Sequence, residues 1–383
     1  MSRETKSVSI VVLSYNSRED MEECIPSLMS QTYHNFEIIV VDNASRDNSV
    51  EFIRTNYPEI KVVQTGKNLG YAAGNNAGFE VAEGEYIVVV NPDTVADPEW
   101  LAELVKPLEN DQTITATTSK ILIYYQKDRI NTCANRNHPT GLTFCRGLNK
   151  SANEFNNYQE VSSVSGCSFA IRSDVLKNIN GFDPDFFLYQ EDADLSWRIR
   201  FTGGKIMYVP KSVIHHKFKL SIAPWKEFYL ERNRYLILLK NLDSATLLLL
   251  LPSLIVTEIV TMGHAVLNGP KYVKSKLLAY LWIIKNIRTV FTKRRETLSK
   301  KMISEKEFFV FLDWRIPFEQ VIENSIMSRI ADTVFNSFYK LHMKLIRKIH
   351  LYSVKKSANV KMTTEIIPMS QFTFISSQKG QQK

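Results

Sequence analysis

Cysteine is scarce in this chain of 383 residues: four thiols, Cys24, Cys133, Cys145 and Cys167, with no CxxC spacing and no pattern that pairs them. Such usage excludes a disulfide-stapled scaffold and a thiolate zinc site, and a chain of this length buries enough core to need neither. No secretory leader is expected either. Met1 to Ser7 is polar and charged, and the apolar run Val8 to Leu13 is too short for an h-region, so the N-terminus is expected in the cytoplasm. No segment repeats. Gly70, Gly74 and Gly78 are spaced GxxxGxxxG rather than GxGxxG, which removes a dinucleotide fingerprint and leaves close helix packing as their use.

The net charge of +8 is unevenly spread. Pro270 to Lys361 carries twenty lysines and arginines against seven carboxylates, a surplus of thirteen that leaves the remainder at −5. These cations alternate with Leu, Ile, Trp and Phe rather than Gly, Ser or Pro. That mixture fits an anionic lipid surface and argues against nucleic acid.

The first half alternates apolar runs with helical stretches. Strands are expected over Ser7–Leu13, Glu37–Val41, Ile60–Gln64 and Tyr86–Val90. A capping box at Ser17-Arg-Glu-Asp20 opens a helix that Pro26 should kink or shorten, and Asp97 with Pro98 should head a helix to Leu108. Alternation at this spacing predicts an α/β fold, a Rossmann-like, mostly parallel sheet with helices on both faces, which binds ligands at the carboxyl ends of its strands. Asp42 and Asp93 fall at such ends. Tyr124 to Glu160 shows no period and reads as a loop region facing a substrate. Order resumes at Ser165–Arg172, followed by a helix headed by Asp192 and a strand over Ile206–Val209.

Beyond Ser221 the chain turns helical, dividing it into a domain over 1–222, a basic, membrane-associated helical region over 223–361 and a disordered tail over 362–383. Ala245 to Leu267 is long enough to span a bilayer, but Pro252 and Glu258 interrupt it, so a spanning, re-entrant or in-plane helix all remain open. Leu277 to Phe291 suits an interfacial helix. Val334, Phe338, Leu341, Leu345 and Ile349 recur at helical spacing beside Lys344, Arg347 and Lys348, a basic amphipathic helix.

Taken by itself, Asp42 can accept hydrogen bonds from a base or ribose, or cap its own turn through Ser45. Tyr15 can stack on a base. Asp93 can hold a cation, and Asp192, at a helix head whose positive end favours the ionised form, can take a proton or merely cap the helix. Glu191 can orient an acceptor or cap. Asp194, four residues before Arg198, reads as half of a surface ion pair. Arg232 and Arg234 cannot both face one ligand from a single helical turn, and Arg234 is the better candidate for a diphosphate.

The segments Val11-Val-Leu-Ser-Tyr-Asn16, Val41-Asp-Asn-Ala-Ser45, Asn68-Leu-Gly-Tyr-Ala-Ala-Gly-Asn-Asn76, Asn91-Pro-Asp93, Gly181-Phe-Asp183 and Glu191-Asp192 stand in the order and spacing of family 2 glycosyltransferases. Over roughly residues 7 to 240 the chain resembles that family, in its rhamnosyltransferase-like branch. The resemblance implies the GT-A fold and an inverting transfer from a nucleoside-diphosphate sugar to a saccharide or lipid-linked acceptor at the cytoplasmic face of a membrane, in surface polysaccharide or glycoconjugate synthesis. It implies donor contacts from Tyr15, Asn16, Asp42, Asn75, Asn91 and Asp93, and Asp192 as general base. It also implies Mg2+ or Mn2+ on Asp93 and a histidine after the last core strand. Ile214-His-His-Lys-Phe-Lys-Leu-Ser221 supplies that histidine as His216, with an ordinary backbone-bonded histidine as the alternative. Asn91 stands where the family usually has a first aspartate, which puts metal dependence in doubt. A sugar nucleotidyltransferase should carry a glycine-rich phosphate loop after the first strand, and Ser14-Tyr-Asn-Ser-Arg18 has no glycine. A non-catalytic membrane scaffold of the same fold is the other rival.

Overall fold

The computed structural model describes residues 7–218, 223–322 and 324–354. The expected tail over 362–383 lies outside them. Four parallel strands form one half of the main sheet: β1 (Val8–Ser14), β2 (Phe36–Asp42), β3 (Lys61–Gln64) and β4 (Tyr86–Val90), with β1 between β2 and β4. Between them run α1 (Arg18–Met29), α2 (Ser49–Asn56) and α3 (Gly70–Val81). Side chains alternate across these strands. Val11, Ile39, Val41, Ile87 and Val89 enter one core, while Val8, Ile10, Val12, Ile38, Val40, Val88 and Val90 enter the other. A sheet covered on both faces has no polar side to show, and every residue of β4 is buried.

The chain then leaves the parallel pattern. β5 (Thr94–Ala96) leads to α4 (Trp100–Asn110), and β6 (Ile114–Ile123) is followed by β7 (Gln126–Cys133), β8 (Asn135–Asn137), β9 (Thr143–Cys145), β10 (Gln159–Glu160) and β11 (Ser168–Arg172). Next come α5 (Ser173–Asn178), α6 (Glu191–Phe201) and β12 (Lys205–His216). β11 runs antiparallel to both β4 and β6, β12 lies parallel to β6, and β7 pairs antiparallel with β6. The stretch expected as a loop, Tyr124–Glu160, therefore contains strands. Its hidden partner β6 buries Thr115, Thr117, Thr118, Ser119 and Lys120 ahead of Ile121 and Leu122, so most of the strand reads as polar. Pro26 does not shorten α1, which continues to Met29. Asp97 does not cap α4, which begins at Trp100.

The remaining elements are α7 (Pro224–Asn241), α8 (Ser244–Asn268), α9 (Pro270–Lys285), α10 (Ile287–Ser299), α11 (Glu305–Phe308) and α12 (Ser325–Val354). The apolar stretch Leu277–Phe291 is broken between α9 and α10 at Asn286. Leu236, Ile237, Leu238 and Leu242, from α7 and the residue after it, belong to the core that Val11, Ile39 and Ile87 enter, so α7 packs against the sheet domain.

Candidate active site

The carboxyl ends of β1, β2 and β4 set the site. Ser14 and Asp42 are neighbours in register, so Tyr15 and Asn16 emerge beside Asp42. Asn16 takes a left-handed conformation, its N–H donates to Ser45 Oγ (3.0 Å), and its Oδ1 accepts from the Arg46 N–H (2.8 Å). Asp42 is buried and its Oδ1 accepts from the Ser45 N–H (3.1 Å), so the turn-capping role weighed from the sequence is present. Tyr15 is 49% exposed, its ring open to a planar partner.

α3 can lie close beneath this edge because a Cβ at Gly74 would collide with Leu13 and one at Gly78 with Val11 and Val41. Asn75 is fully buried. Its Nδ2 donates to the Tyr71 carbonyl (2.9 Å), and its Oδ1 has no partner among the described residues.

At the end of β4, the Asn91 N–H donates to the Cys167 carbonyl (3.0 Å) and the Asn91 carbonyl accepts from Thr94 Oγ1 (2.6 Å). β5 then pairs with the end of β12, placing His216 opposite Thr94. This pairing brings Asp93 Oδ2 to 3.2 Å from His216 Nε2, although the residues are separated by 123 positions. Asn131 Oδ1 lies 2.9 Å from His216 Nδ1. Burial pushes the His216 pKa down, but Cys167, Asp93 and their hydrogen bonds outweigh it and hold the imidazole well above its usual range. Burial likewise raises Asp93, and the His216 bond overcomes it, so that carboxyl sits low.

Does this pair suit a divalent cation? Asp93 Oδ1 is buried and has no partner among the described residues, and Oδ2 and His216 Nε2 converge. No group of three or more His, Cys, Asp and Glu side chains is arranged to hold an ion among those residues. Two protein ligands suffice for a cation that takes its other ligands from water and phosphate oxygens, so the residues fit an ion shared with a diphosphate. The cation would have to compete with the proton on Nε2.

Asp192 stands across the Ser165–Ser168 turn. Its Oδ2 accepts from the Gly166 N–H (2.8 Å) and Asn135 Nδ2 (3.0 Å), its Oδ1 from the Ala193 N–H (2.7 Å), and Tyr71 Oη donates to the Gly166 carbonyl (2.6 Å). Gly166 and Cys167 are consecutive, so one turn links the Asp192 carboxylate to Asn91. Asp192 stands in the first turn of α6, and burial raises its pKa despite the bonds that favour the charge. Burial and the charge of Asp192 raise Glu191 well above the carboxylate range, and its Oε2 has no partner among the described residues.

Asp194 corrects another expectation. It does bond Arg198 Nε (2.8 Å), but it is fully buried and also binds Lys240 Nζ (2.7 Å) and Asn241 Nδ2 (2.9 Å), joining α6 to α7 rather than decorating a surface. Arg234 is not brought to the site. Buried in α7, it pairs with Glu231 (2.6 Å) and Glu258 (2.9 Å) on the side where Lys276 joins them, and these carboxylates hold its guanidinium charged. Arg232 faces elsewhere, donating to the carbonyls of Asp185 (2.7 Å) and Phe186 (2.6 Å).

Four contributors escaped the sequence reading. Asn131, Asn135, Tyr71 and Gly166 bond the key side chains or the turn between them, and the two asparagines come from the stretch that read as loop. Another unexpected feature is the approach to α6: Phe187, Tyr189 and Gln190 all have positive φ (59°, 69° and 64°) with no glycine among them. Each such residue costs about 1–2 kcal/mol. Gly70 permits part of the compensation, since a Cβ there would strike the Phe187 carbonyl, which instead accepts from the N–H groups of Tyr71 (2.5 Å) and Ala72 (3.2 Å).

Residues 9–179 match the family described as Glycosyl transferase family 2. An uncharacterised glycosyltransferase of Haemophilus influenzae is 34% identical over 124 residues, 32% of this chain and 38% of that protein. The N-acetylglucosaminyl-diphospho-decaprenol L-rhamnosyltransferase of Mycobacterium tuberculosis is 25% identical over 242 residues, 56% of this chain and 77% of the relative. The chain thus spans well under half the length of the Haemophilus protein. Among solved structures, GalNAc-T7 with UDP, GalNAc and Mn2+ superposes with a TM-score of 0.52 at 17% identity, covering 63% of this chain and 49% of that one. The likeness is one of fold, the GT-A arrangement.

Proposed function

We propose, from the premise that residues 9–179 form a glycosyl transferase family 2 domain, that this chain is an inverting glycosyltransferase. It moves a sugar from a nucleoside diphosphate to a hydroxyl of a saccharide or lipid-linked acceptor. The observation that carries the reading is the pair of carboxylates flanking the Ser165–Ser168 turn: Asp93 joined to His216 on one side, Asp192 under three hydrogen bonds on the other.

Tyr15, Asn16 and Asp42 receive the base and ribose at the ends of β1 and β2, with Asn75 and Asn91 lining the donor. Asp192 draws the proton from the acceptor hydroxyl, whose oxygen forms the bond to the anomeric carbon as the bond to the diphosphate oxygen breaks, in one displacement. Burial raises its pKa, which makes it a stronger base than an exposed carboxylate. Glu191, whose pKa burial and the Asp192 charge push up, orients the acceptor. Bound Mg2+ or Mn2+, held by Asp93 and His216, would neutralise charge developing on the departing diphosphate. Manganese in the solved structure of GalNAc-T7 and the lipid-diphosphate substrate in the name of the mycobacterial relative support these choices. Domain limits of 1–222 and 223–361 are part of the proposal, as is residence at the cytoplasmic face of a membrane.

The test is release of nucleoside diphosphate from a panel of UDP-, dTDP- and GDP-sugars, with Mg2+ or Mn2+ and a membrane lipid extract, beside Asp192→Asn. Release from one donor that needs the extract and disappears in the variant is expected. Release indifferent to the substitution removes Asp192 as the base. Silence across all donors with every extract favours a scaffold.

A further inference from the structure

The turn that leads into Glu191 and Asp192 is fastened from a distant helix. Asn233, on α7, is fully buried, and its Nδ2 donates to the carbonyls of Phe186 (3.0 Å), Leu188 (2.9 Å) and Tyr189 (2.6 Å). Its Oδ1 accepts from Arg232 Nε (2.9 Å), and Arg232 reaches the Asp185 and Phe186 carbonyls itself while lying over the Tyr229 and Trp282 rings (4.9 and 4.7 Å). On the opposite side the Phe187 carbonyl is taken by the head of α3. Stacked rings, Phe187 on Tyr229 (5.4 Å between centroids) and Tyr189 on Trp225 (6.1 Å), pin the side chains to the same helix.

Left-handed backbone at Phe187, Tyr189 and Gln190 turns the Phe186, Leu188 and Tyr189 carbonyls toward the Asn233 amide. One amide serves three of them, and no other residue type of that size both donates two N–H bonds and accepts from Arg232. The first helical residues after the turn are Glu191 and Asp192, so any relaxation of the turn swings them.

We propose that Asn233 is a positioning residue of glycosyl transfer: by holding the Phe186–Tyr189 carbonyls it fixes the strained turn and hence the aim of the Asp192 carboxylate at the acceptor. The inference rests on the transferase reading above. A misplacement on the order of 1 Å at a reacting group lowers turnover about a hundredfold. Asn233 touches no donor position named above, so donor binding is spared.

The experiment compares the wild type with Asn233→Leu, which fills the space without donating, and Asn233→Asp, which keeps the shape. The full chain is assayed for nucleoside diphosphate release as above. Turnover is expressed per nucleotide-binding site, titrated with the nucleoside diphosphate of the preferred donor, so that a loss of folded protein does not register. The expected result is about a hundredfold lower kcat in both variants with donor KM within twofold, and faster amide exchange confined to residues 187–192. If Asn233→Leu fails to fold, Asn233→Asp carries the comparison. A kcat per site within twofold of wild type, or unchanged exchange over 187–192, overturns the positioning role. A wild type without release overturns the transferase reading, one as active as Asp192→Asn removes Asp192 as the base, and the positioning role falls with either. The exchange comparison identifies that case, because it reports the turn without any turnover.

Discussion

Two carboxyls side by side, Glu191 and Asp192, differ in what burial does to them. Both are raised, Glu191 by burial and then by the charge of Asp192, and Asp192 by burial against the bonds from Gly166, Ala193 and Asn135 that favour its charge. Because the two carboxyls share one buried site, the pair releases its protons in two steps that belong to both groups. Transfer needs the first loss and is impeded by the second. The rate should therefore rise with pH through a limb above the usual carboxylate range and fall again on the alkaline side. Glu191→Gln, a neutral isostere of the protonated acid, is expected to keep the acid limb and remove the alkaline one. A variant without activity at any pH would show that Glu191 works in its charged form. Legibility at this scale followed chemistry that is local in sequence. Asp42, Asp93 and Asp192 were readable because each follows a strand or opens a helix. Asn131 and Asn135 were not, because nothing local marks an asparagine whose partner lies 85 or 57 residues away.

Among the helices, α8 is the one described element long and apolar enough to cross a membrane, and its polar residues explain why it need not. Glu258 accepts from Arg234 (2.9 Å) and Tyr235 (2.7 Å) on α7 and lies 3.2 Å from Lys276 on α9, which with Tyr280 holds its pKa down to about 2 against the effect of burial. Thr257 bonds Tyr339 (2.8 Å) and Ser253 bonds His342 (2.5 Å), both on α12. The opposite face shows Leu248, Leu251, Ile255, Ile259 and Val266, a single stripe. Lys276 is the critical member. It is fully buried and also pairs with Glu231 (2.6 Å). Lys276→Met should lower stability by about 3–5 kcal/mol, since it leaves the Glu231 and Glu258 carboxylates to share the one charge of Arg234, whereas the joint change with Glu231→Gln should recover part of that loss. Denaturant melts of both variants and of Glu231→Gln alone decide it, and a joint loss equal to the sum of the two single losses would mean that the positions do not interact. The sequence showed the apolar run and the charge inside it but not the partner, since a lysine among apolar residues reads equally as a lipid-facing cation.

For the molecule as a whole, the sheet domain was legible because its parallel strands bury both faces and announce themselves as apolar runs, while β6 escaped because five of its buried positions are threonine, serine and lysine, set between the apolar ones. The helical region raises a different question, that of what covers it. Besides the stripe on α8, Leu277, Leu281 and Ile284 on α9 and Ile330, Val334, Leu341 and Leu345 on α12 are exposed, beside Lys274, Lys285, Arg288, Lys344 and Arg347. Apolar surface of this extent, with cations next to it, matches an anionic bilayer whose headgroups take the lysines while the acyl boundary takes the leucines. With the Glu258 face committed to protein, α8 should lie in the plane of the membrane. Single cysteines at Ser244 and Asn268, the two ends of α8, should then both react with a membrane-impermeant maleimide added outside vesicles carrying the protein. A spanning helix would leave one of them protected until the vesicles are opened. Binding should favour anionic over zwitterionic vesicles and weaken with salt, because the cations act through a screened surface potential. Equal binding to both vesicle types at all salt concentrations would leave burial of the apolar stripes as the whole of the attraction and assign the basic surplus to another partner.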